Sequence, residues 1–554
     1  MSTHDSIRPF VIAYLVLLTA IISLRNFLPA LLRPDLREDD YAQLIWWTYQ
    51  FNDAELFPKD VILEFFSLPI FSTYGWQYLC RLFVPFFDAQ QFGEILPFVL
   101  VLPSTVLVWL LGHHFGRGSL GAAFAVIFFT VVEMRYLRSG LPRSFAVPIL
   151  LFGMWSLSQH RQGALGLSIF FGALFYPPVA ANLVLLTAVV LGLRWYTDKK
   201  LPANWLTLLF FVCCAAFTLA SAYLGPLPDG IGPRTSLEAA LSMPEFFDGG
   251  RSAFFSEDIW SFYFTKSSSG LGINPYAALG LLFAIVLTLH YFPRAISIEI
   301  WSLAATSIAL FVLAHMTLFL MYFPNRFVRY TLPVFYLLFL SSLLPSVVDS
   351  LRKMKWMSRI YHSLPERRQC RVFAFVSGIV LLSFFGEATL KIKSALTAPS
   401  RFPDMEAAYR FLETLPKETL VAAHPDDADD VPLRARRSVL ASRETSLPYH
   451  LGYYNKMRER IQAMLIACYA DNWSDVDTLY YHFGVDVFIV SKRRYKQGVP
   501  PYTGLYYEPF DSSIQRRFVH GLRHGFVLLE PPSERVLFQQ GDITIVQVGP
   551  SRSL

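Results

Sequence analysis

Charge is scarce in this sequence of 554 residues: Asp, Glu, Lys and Arg make up 16% of it, against 54% hydrophobic residues. Soluble domains carry about 25% charged residues, so the shortage argues against an ordinary soluble protein and for a chain that crosses a membrane repeatedly. Cysteine is also sparse. The five thiols, Cys80, Cys213, Cys214, Cys370 and Cys468, form no CxxC pair, and two are adjacent inside one apolar run, which argues against a disulfide framework or a thiolate zinc site. No internal repeat or low-complexity tract stands out. The small excess of basic residues, net +6, reports orientation in a membrane protein before it reports a partner, and no nucleic-acid ligand is expected.

What is abundant is apolar and aromatic. The 50 Phe, 27 Tyr and 11 Trp suit lipid contact and interfacial anchoring. The first apolar run, from about Pro9 to Leu32, is too long for the core of a signal peptide and has no A-x-A cleavage pattern, so it reads as an uncleaved span. Ten more runs follow near 92–112, 118–134, 143–158, 162–177, 179–195, 203–224, 273–292, 298–322, 328–347 and 372–389, giving about eleven spans. The segment 68–87 carries Arg81 in mid-run and is rich in Tyr, Trp and Gln; it is expected to lie flat on the membrane surface, the alternative being a true span.

Orientation follows from the basic residues. Arg352, Lys353, Lys355, Arg359, Arg367, Arg368 and Arg371 crowd one connection, which should be cytoplasmic. The N-terminus is then cytoplasmic as well, and residues 33–91, 226–271 and 390–554 lie outside. The expected organisation is a helical polytopic membrane module over 1–389 and a polar extracytoplasmic domain over 390–554. In the latter, "ETLVAAHP", "VDVFIVS", "GFVLLEPP" and "ITIVQV" read as strands and "HLGYYNKMRERIQAMLIACYA" as a helix, hence an α/β fold.

Five arginines violate the positive-inside default in this topology: Arg135, Arg138 and Arg143 in "RYLRSGLPR", and Arg326 and Arg329 in "FPNRFVRY". A guanidinium fork suits phosphate oxygens, so two outward clusters point to an anionic ligand such as the phosphate of a lipid carrier; the bland alternative is snorkelling to headgroups. On the same side, "REDDYAQLIWWTYQ" opens with Glu38, Asp39 and Asp40. These acids can cap the helix that follows, with Tyr41, Leu44, Ile45, Thr48 and Phe51 on one face, or they can deprotonate a hydroxyl or hold a divalent cation, Mg or Mn, against phosphate. Asp53, Glu55 and Asp60 read as solvated loop or cap residues. "FYPP" places Tyr176, Pro177 and Pro178 at an outside break between apolar segments, which helix termination explains and a cavity lining would also fit. "HPDDADDVP" lacks the Gly and final Glu of a calcium loop and reads as a solvated acidic loop. His450 and "YYNKMRER" carry no assigned chemistry.

The first loop with its acidic pair and Tyr, the surface-lying segment, the many spans and the C-terminal domain together resemble the GT-C glycosyltransferases, membrane enzymes that use polyprenyl-phosphate-linked sugars. "REDDYAQL" is similar to the acidic-pair-plus-Tyr motif of the lipid-to-acceptor transferases related to protein O-mannosyltransferases and aminoarabinose transferases. "FNDAELFPKD", "GLPRSFAVP", "FYPP" and "HPDDADDVPLRARRSVL" resemble a group of bacterial membrane proteins assigned to that superfamily. The resemblance implies hexosyl or pentosyl transfer at the bacterial inner membrane, with Asp39 and Asp40 as catalytic base or orienting groups. Tyr41, Arg138, Arg143, Tyr176, Arg326 and Arg329 are the expected substrate-binding residues, the arginines by topology. No WWDYG-like motif is present, which leaves the acceptor open. A transporter or flippase of an anionic lipid would use the same arginines but needs ionisable groups at mid-membrane, where the candidates are Glu133 and His315. A GT-C-like scaffold that binds a glycan without catalysis is the third reading.

Overall fold

The computed structural model describes residues 3–33, 39–58, 60–199, 203–272, 275–292, 295–321, 323–353, 366–397, 400, 402–496 and 504–550. Each of the eleven apolar segments is helical, because a backbone in lipid must satisfy its amides within the segment. In chain order the elements are α1 (Thr3–Leu32), the short α2 (Asp39–Ile45), α3 (Val61–Phe66) and α4 (Tyr74–Phe83), then α5 (Ala89–Phe115), α6 (Ser119–Phe128), α7 (Ala146–Ser158), α8 (Gln162–Phe175), α9 (Pro177–Asp198) and α10 (Trp205–Tyr223). Helices over Pro275–Tyr291, Ile298–Met316, Thr331–Lys353 and Glu366–Thr397 complete the module.

Among the described residues, eight stretches are long and apolar enough to cross a membrane: Pro9–Leu32, Ala89–Phe115, Ser119–Leu137, Pro177–Thr197, Trp205–Tyr223, Ile298–Met316, Pro324–Leu351 and Phe375–Thr397. The other three expected spans, α7, α8 and Pro275–Tyr291, have 13, 14 and 17 residues, short of the roughly 20 a crossing takes. Burial ranks the helices by position. Pro324–Leu351 is 56% buried and central, whereas Phe375–Thr397 is 6% buried and turns Phe375, Leu382, Phe385 and Leu390 outward, as a lipid-facing helix does. The segment 68–87 contains only the ten-residue α4, about 15 Å of helix, packed beside α5 and α8; it is too short to cross.

Glu38, residues 354–365 and the side chains of Asp39, Arg352, Lys353, Arg367, Arg368 and Arg371 lie outside the described residues. The expected cap by Glu38 or Asp39 and the basic connection therefore fall there.

The C-terminal domain is a five-stranded sheet in the order β2-β1-β3-β5-β4, built from β1 (Leu420–Ala423), β2 (Ser438–Val439), β3 (Val487–Ser491), β4 (Val536–Gln540) and β5 (Ile543–Gln547). β1 runs parallel to β2 and β3, while β5 is antiparallel to both β3 and β4. Helices over Pro403–Thr414, Leu451–Cys468, Trp473–Phe483 and Phe510–His524 cover it. "GFVLLEPP" is not a strand. Gly525 leaves the preceding helix at φ +95, Val527 N–H bonds to the Ala470 carbonyl, and the run closes in a turn before Pro531 and Pro532, which cannot donate to a ladder.

"HPDDADDVP" is also not solvated. His424 is 2% and Asp427 3% exposed. Asp427 accepts hydrogen bonds from Arg493 and, at 2.7 and 3.0 Å, from Arg494, which also reaches Asp426 at 3.0 Å. The arginines of "SKRRY" supply the counter-charge that lets the acids enter the core.

Two segments of the membrane module clasp this domain. Residues 231–235 pair with 448–453: Thr235 N–H donates to the Tyr449 carbonyl at 3.0 Å, Leu451 N–H to Pro233 at 2.9 Å and Tyr453 N–H to Ile231 at 2.8 Å. From the first loop, Asp60 caps α3 through Ile62 N–H at 3.3 Å and accepts both arms of Arg460 at 2.7 and 2.9 Å. Asp53 and Glu55 meet Lys417 at 2.7 and 2.8 Å.

Candidate functional site

Helix α2 starts at Asp39, so Asp40 stands in its first turn, where the helix dipole favours negative charge. Tyr41 follows and points the other way, into the core at 0% exposure. Its hydroxyl donates to the Ala89 carbonyl and accepts from Gly93 N–H at 2.9 Å. A Cβ on Gly93 would lie 2.0 Å from the Tyr41 ring, and one on Gly140, itself at φ +62, would lie 2.1 Å from the Gly93 carbonyl oxygen. Tyr41 is thus no substrate ligand in this structure; it locks α2 against α5 and against the turn that carries Arg143. Tyr41→Phe removes the hydroxyl that bridges the Ala89 carbonyl and the Gly93 N–H, and we expect a loss of about 0.5–1.5 kcal/mol, read as a lower Tm of the purified protein.

The turn held by that lock delivers Arg143 to Asp40. The Arg143 guanidinium donates to the Asp40 carboxylate, and its Nε donates to Ser139 Oγ at 3.1 Å. The Asp40 side chain is 46% exposed, to a cavity rather than to bulk solvent. Burial raises its pKa, but Arg143, with Arg326 and Arg329 further off, outweighs that and holds the carboxyl below its ordinary value.

The cavity has a volume of about 350 Å³, within the range of small-molecule sites. Asp40, Arg143, Tyr176 and Arg326 line it together, with Pro177 and Pro178 beside them. "FYPP" is a true break: Tyr176 ends α8 and starts α9 with Pro177 and Pro178 in its first turn, and this bare corner faces the cavity. Arg329 is not among the lining residues, although its charge reaches Asp40. Arg138 is exposed and does not line the cavity, because the turn after Leu137 points it outward; Arg135 is exposed over the Tyr136 ring at 5.1 Å.

Several lining residues escaped the sequence reading. Arg234 and Arg251 come from the loop 226–271, where the count of arginines between spans applies equally well. Gln43 and Leu44 lie three and four residues beyond Asp40, a spacing that puts them on its helix face. Glu444, Tyr449 and His450 come from the C-terminal domain, and no local pattern marks them. Arg251 donates to Glu444 at 3.2 Å, and Gln43 donates to the Glu444 carbonyl. Arg234 stacks on Tyr223 at 5.2 Å and donates to the backbone carbonyls of Tyr223 and Leu320 at 3.3 and 3.4 Å. Four arginines therefore face the cavity against the carboxylates of Asp40 and Glu444, an excess of positive charge that suits an anion.

The same charge disfavours a divalent cation. Among the described residues no group of three or more His, Cys, Asp and Glu side chains is arranged to hold one, and the Asp40 carboxylate is already shared with Arg143.

No family model and no curated protein matches the sequence. Solved structures with a similar chain trace include the archaeal oligosaccharyltransferase AglB from Archaeoglobus fulgidus in complex with an inhibitory peptide and a dolichol-phosphate. It is 14% identical, with a TM-score of 0.46 over 89% of this chain and 70% of that one. ArnT from Cupriavidus metallidurans bound to undecaprenyl phosphate is 12% identical, with a TM-score of 0.44 over 99% of this chain and 100% of that one. Both are membrane glycosyltransferases of the GT-C superfamily. At these identities and scores the likeness assigns no residue and no substrate.

Proposed function

We propose that this chain is a GT-C-type glycosyltransferase that moves a sugar from a polyprenyl-phosphate carrier to an acceptor hydroxyl at the extracytoplasmic face of a bacterial inner membrane. The observation that carries the reading is the Asp40–Arg143 pair on the wall of a cavity otherwise rich in arginine. The resemblance of the first loop to the transferase motif points the same way. The outward arginines and the basic run beyond residue 351 support the face.

In the reaction the acceptor oxygen attacks the anomeric carbon with inversion. The bond from that carbon to the phosphate oxygen breaks, polyprenyl phosphate leaves with the electron pair, and the acceptor proton passes to the Asp40 carboxylate. Arg143 and Arg326 donate to the phosphate oxygens and stabilise the charge that develops on them. A carboxylate held low by guanidinium groups is a weak base at rest. Donor phosphate competes for the same groups, so Asp40 becomes more basic as the donor binds, and water is not deprotonated in an empty site.

Undecaprenyl phosphate in detergent tests the phosphate half directly. Arg143→Ala and Arg326→Ala are each expected to raise its Kd at least 10-fold, and wild-type binding should weaken with added salt. Unaltered affinity in both variants would remove the arginines from the donor site.

A further inference from the structure

His450 is 2% exposed, lines the cavity, and has no hydrogen-bond partner at either ring nitrogen among the described residues. Other polar groups of that wall are engaged. Thr73 Oγ1 donates to the Phe175 carbonyl at 3.0 Å, Gln43 bonds to Glu444, and the Tyr449 hydroxyl is hydrogen-bonded to Ser252. The imidazole is nonetheless held firmly. Its backbone is bridged to Arg234, and its ring meets Phe65 and Phe71 edge to face at 5.4 and 6.0 Å. Buried polar atoms in folded proteins nearly always have partners, so a rigid imidazole with two orphan nitrogens at a cavity wall marks where a ligand completes the set.

The chemistry of that ligand follows from the ring. Burial, then the nearby Arg234, push the His450 pKa down to about 4, so the ring is neutral near pH 7 and presents one donor and one acceptor. The two nitrogens diverge across the ring, so two hydroxyls of a sugar can answer them, one accepting and one donating, whereas phosphate oxygens only accept and leave the acceptor nitrogen bare. His450 also belongs to the C-terminal domain, whereas Asp40, Arg143 and Arg326 belong to the membrane module.

We infer that His450 holds two hydroxyls of a neutral, sugar-like acceptor, so that the C-terminal domain selects what receives the glycosyl group. This assignment rests on the transferase reading above. With the acceptor displaced, water takes its place: the water oxygen bonds to the anomeric carbon as its proton passes to Asp40, the bond from that carbon to the phosphate oxygen breaks, polyprenyl phosphate leaves with the electron pair, and free sugar is released.

The test uses the full-length protein with radiolabelled undecaprenyl-phosphate hexoses and pentoses as donors and isolated envelope membranes as acceptor. His450→Leu is expected to shift label from membrane acceptor to water at least 10-fold and to raise the apparent KM for acceptor membranes more than it lowers kcat. His450→Gln, whose amide both donates and accepts, should recover at least half of the partition at an unchanged Tm. The assignment is overturned if His450→Leu leaves the partition unmoved. It is equally overturned if that variant weakens undecaprenyl phosphate binding as much as Arg143→Ala, which would put His450 on the donor side. If the wild type neither binds undecaprenyl phosphate nor consumes any donor, the transferase reading itself fails and takes this assignment with it.

Discussion

Asp40→Asn is expected to lower sugar transfer at least 100-fold while the protein remains folded and retains undecaprenyl phosphate. General-base catalysis contributes about 10²–10⁴ in rate, and the amide keeps the shape of the carboxyl but cannot take a proton. The change also frees Arg143 from its carboxylate, so affinity for the phosphate should hold or rise. Loss of rate with retained binding separates an absent base from a collapsed site. Transfer within threefold of wild type, at matched expression, would sink the catalytic role and favour a non-catalytic glycan-binding scaffold. Asp39→Asn, made separately, tells which member of the acidic pair takes the proton. Because Asp40 is held below its ordinary pKa in the free protein, no acid limb due to it is expected in kcat/KM between pH 5 and 7.

The second large effect concerns stability. Asp427→Ala is expected to destabilise the protein by about 3–5 kcal/mol, because it leaves Arg493 and Arg494 facing a buried gap without their shared carboxylate. The pH dependence has a definite sign. Burial opposes the charged form of Asp427, but Arg494 and then Arg493 prevail and lower its pKa to about 2. A depressed acid stabilises the fold fully above its unfolded value of about 4, and the contribution, on the order of 2 kcal/mol, is lost as pH falls from there toward 2. His424, pushed down to about 4 chiefly by burial and next by Arg494, behaves likewise across the earlier window from about 6.5 to 4. Urea unfolding of the wild type should therefore weaken in two stages on acidification, with the later one absent in Asp427→Ala. A wild-type profile flat from pH 6.5 to 3 would contradict the buried arrangement.

How far the sequence was legible depended on whether the signal was local. Apolar runs marked eleven helical segments, eight of which are long and apolar enough to cross a membrane, since lipid enforces a requirement each segment must meet alone. Asp40, Arg143, Tyr176 and Arg326 were singled out because charge and proline are conspicuous in such runs, and they share one cavity. Tyr41 shows the limit: a tyrosine beside an acidic pair looks like a ligand, yet successive helix positions diverge by about 100°, and it faces Gly93 instead. The acidic loop at 424–430 was misread because its partners, Arg443, Arg493 and Arg494, are distant in sequence. His450 was passed over for the same reason, as nothing near it in the chain reveals a cavity.

The lipid-facing helix Glu366–Thr397 is pinned to α1 by Arg25 and Glu387 at 2.5 Å, while the domain beyond it is gripped by Asp60, Lys417 and the 231–235 pairing. Everything after residue 365 is thus fastened to everything before residue 354 by contacts spread over two separate surfaces. The two pieces therefore have the makings of a split protein, able to find each other without a covalent link.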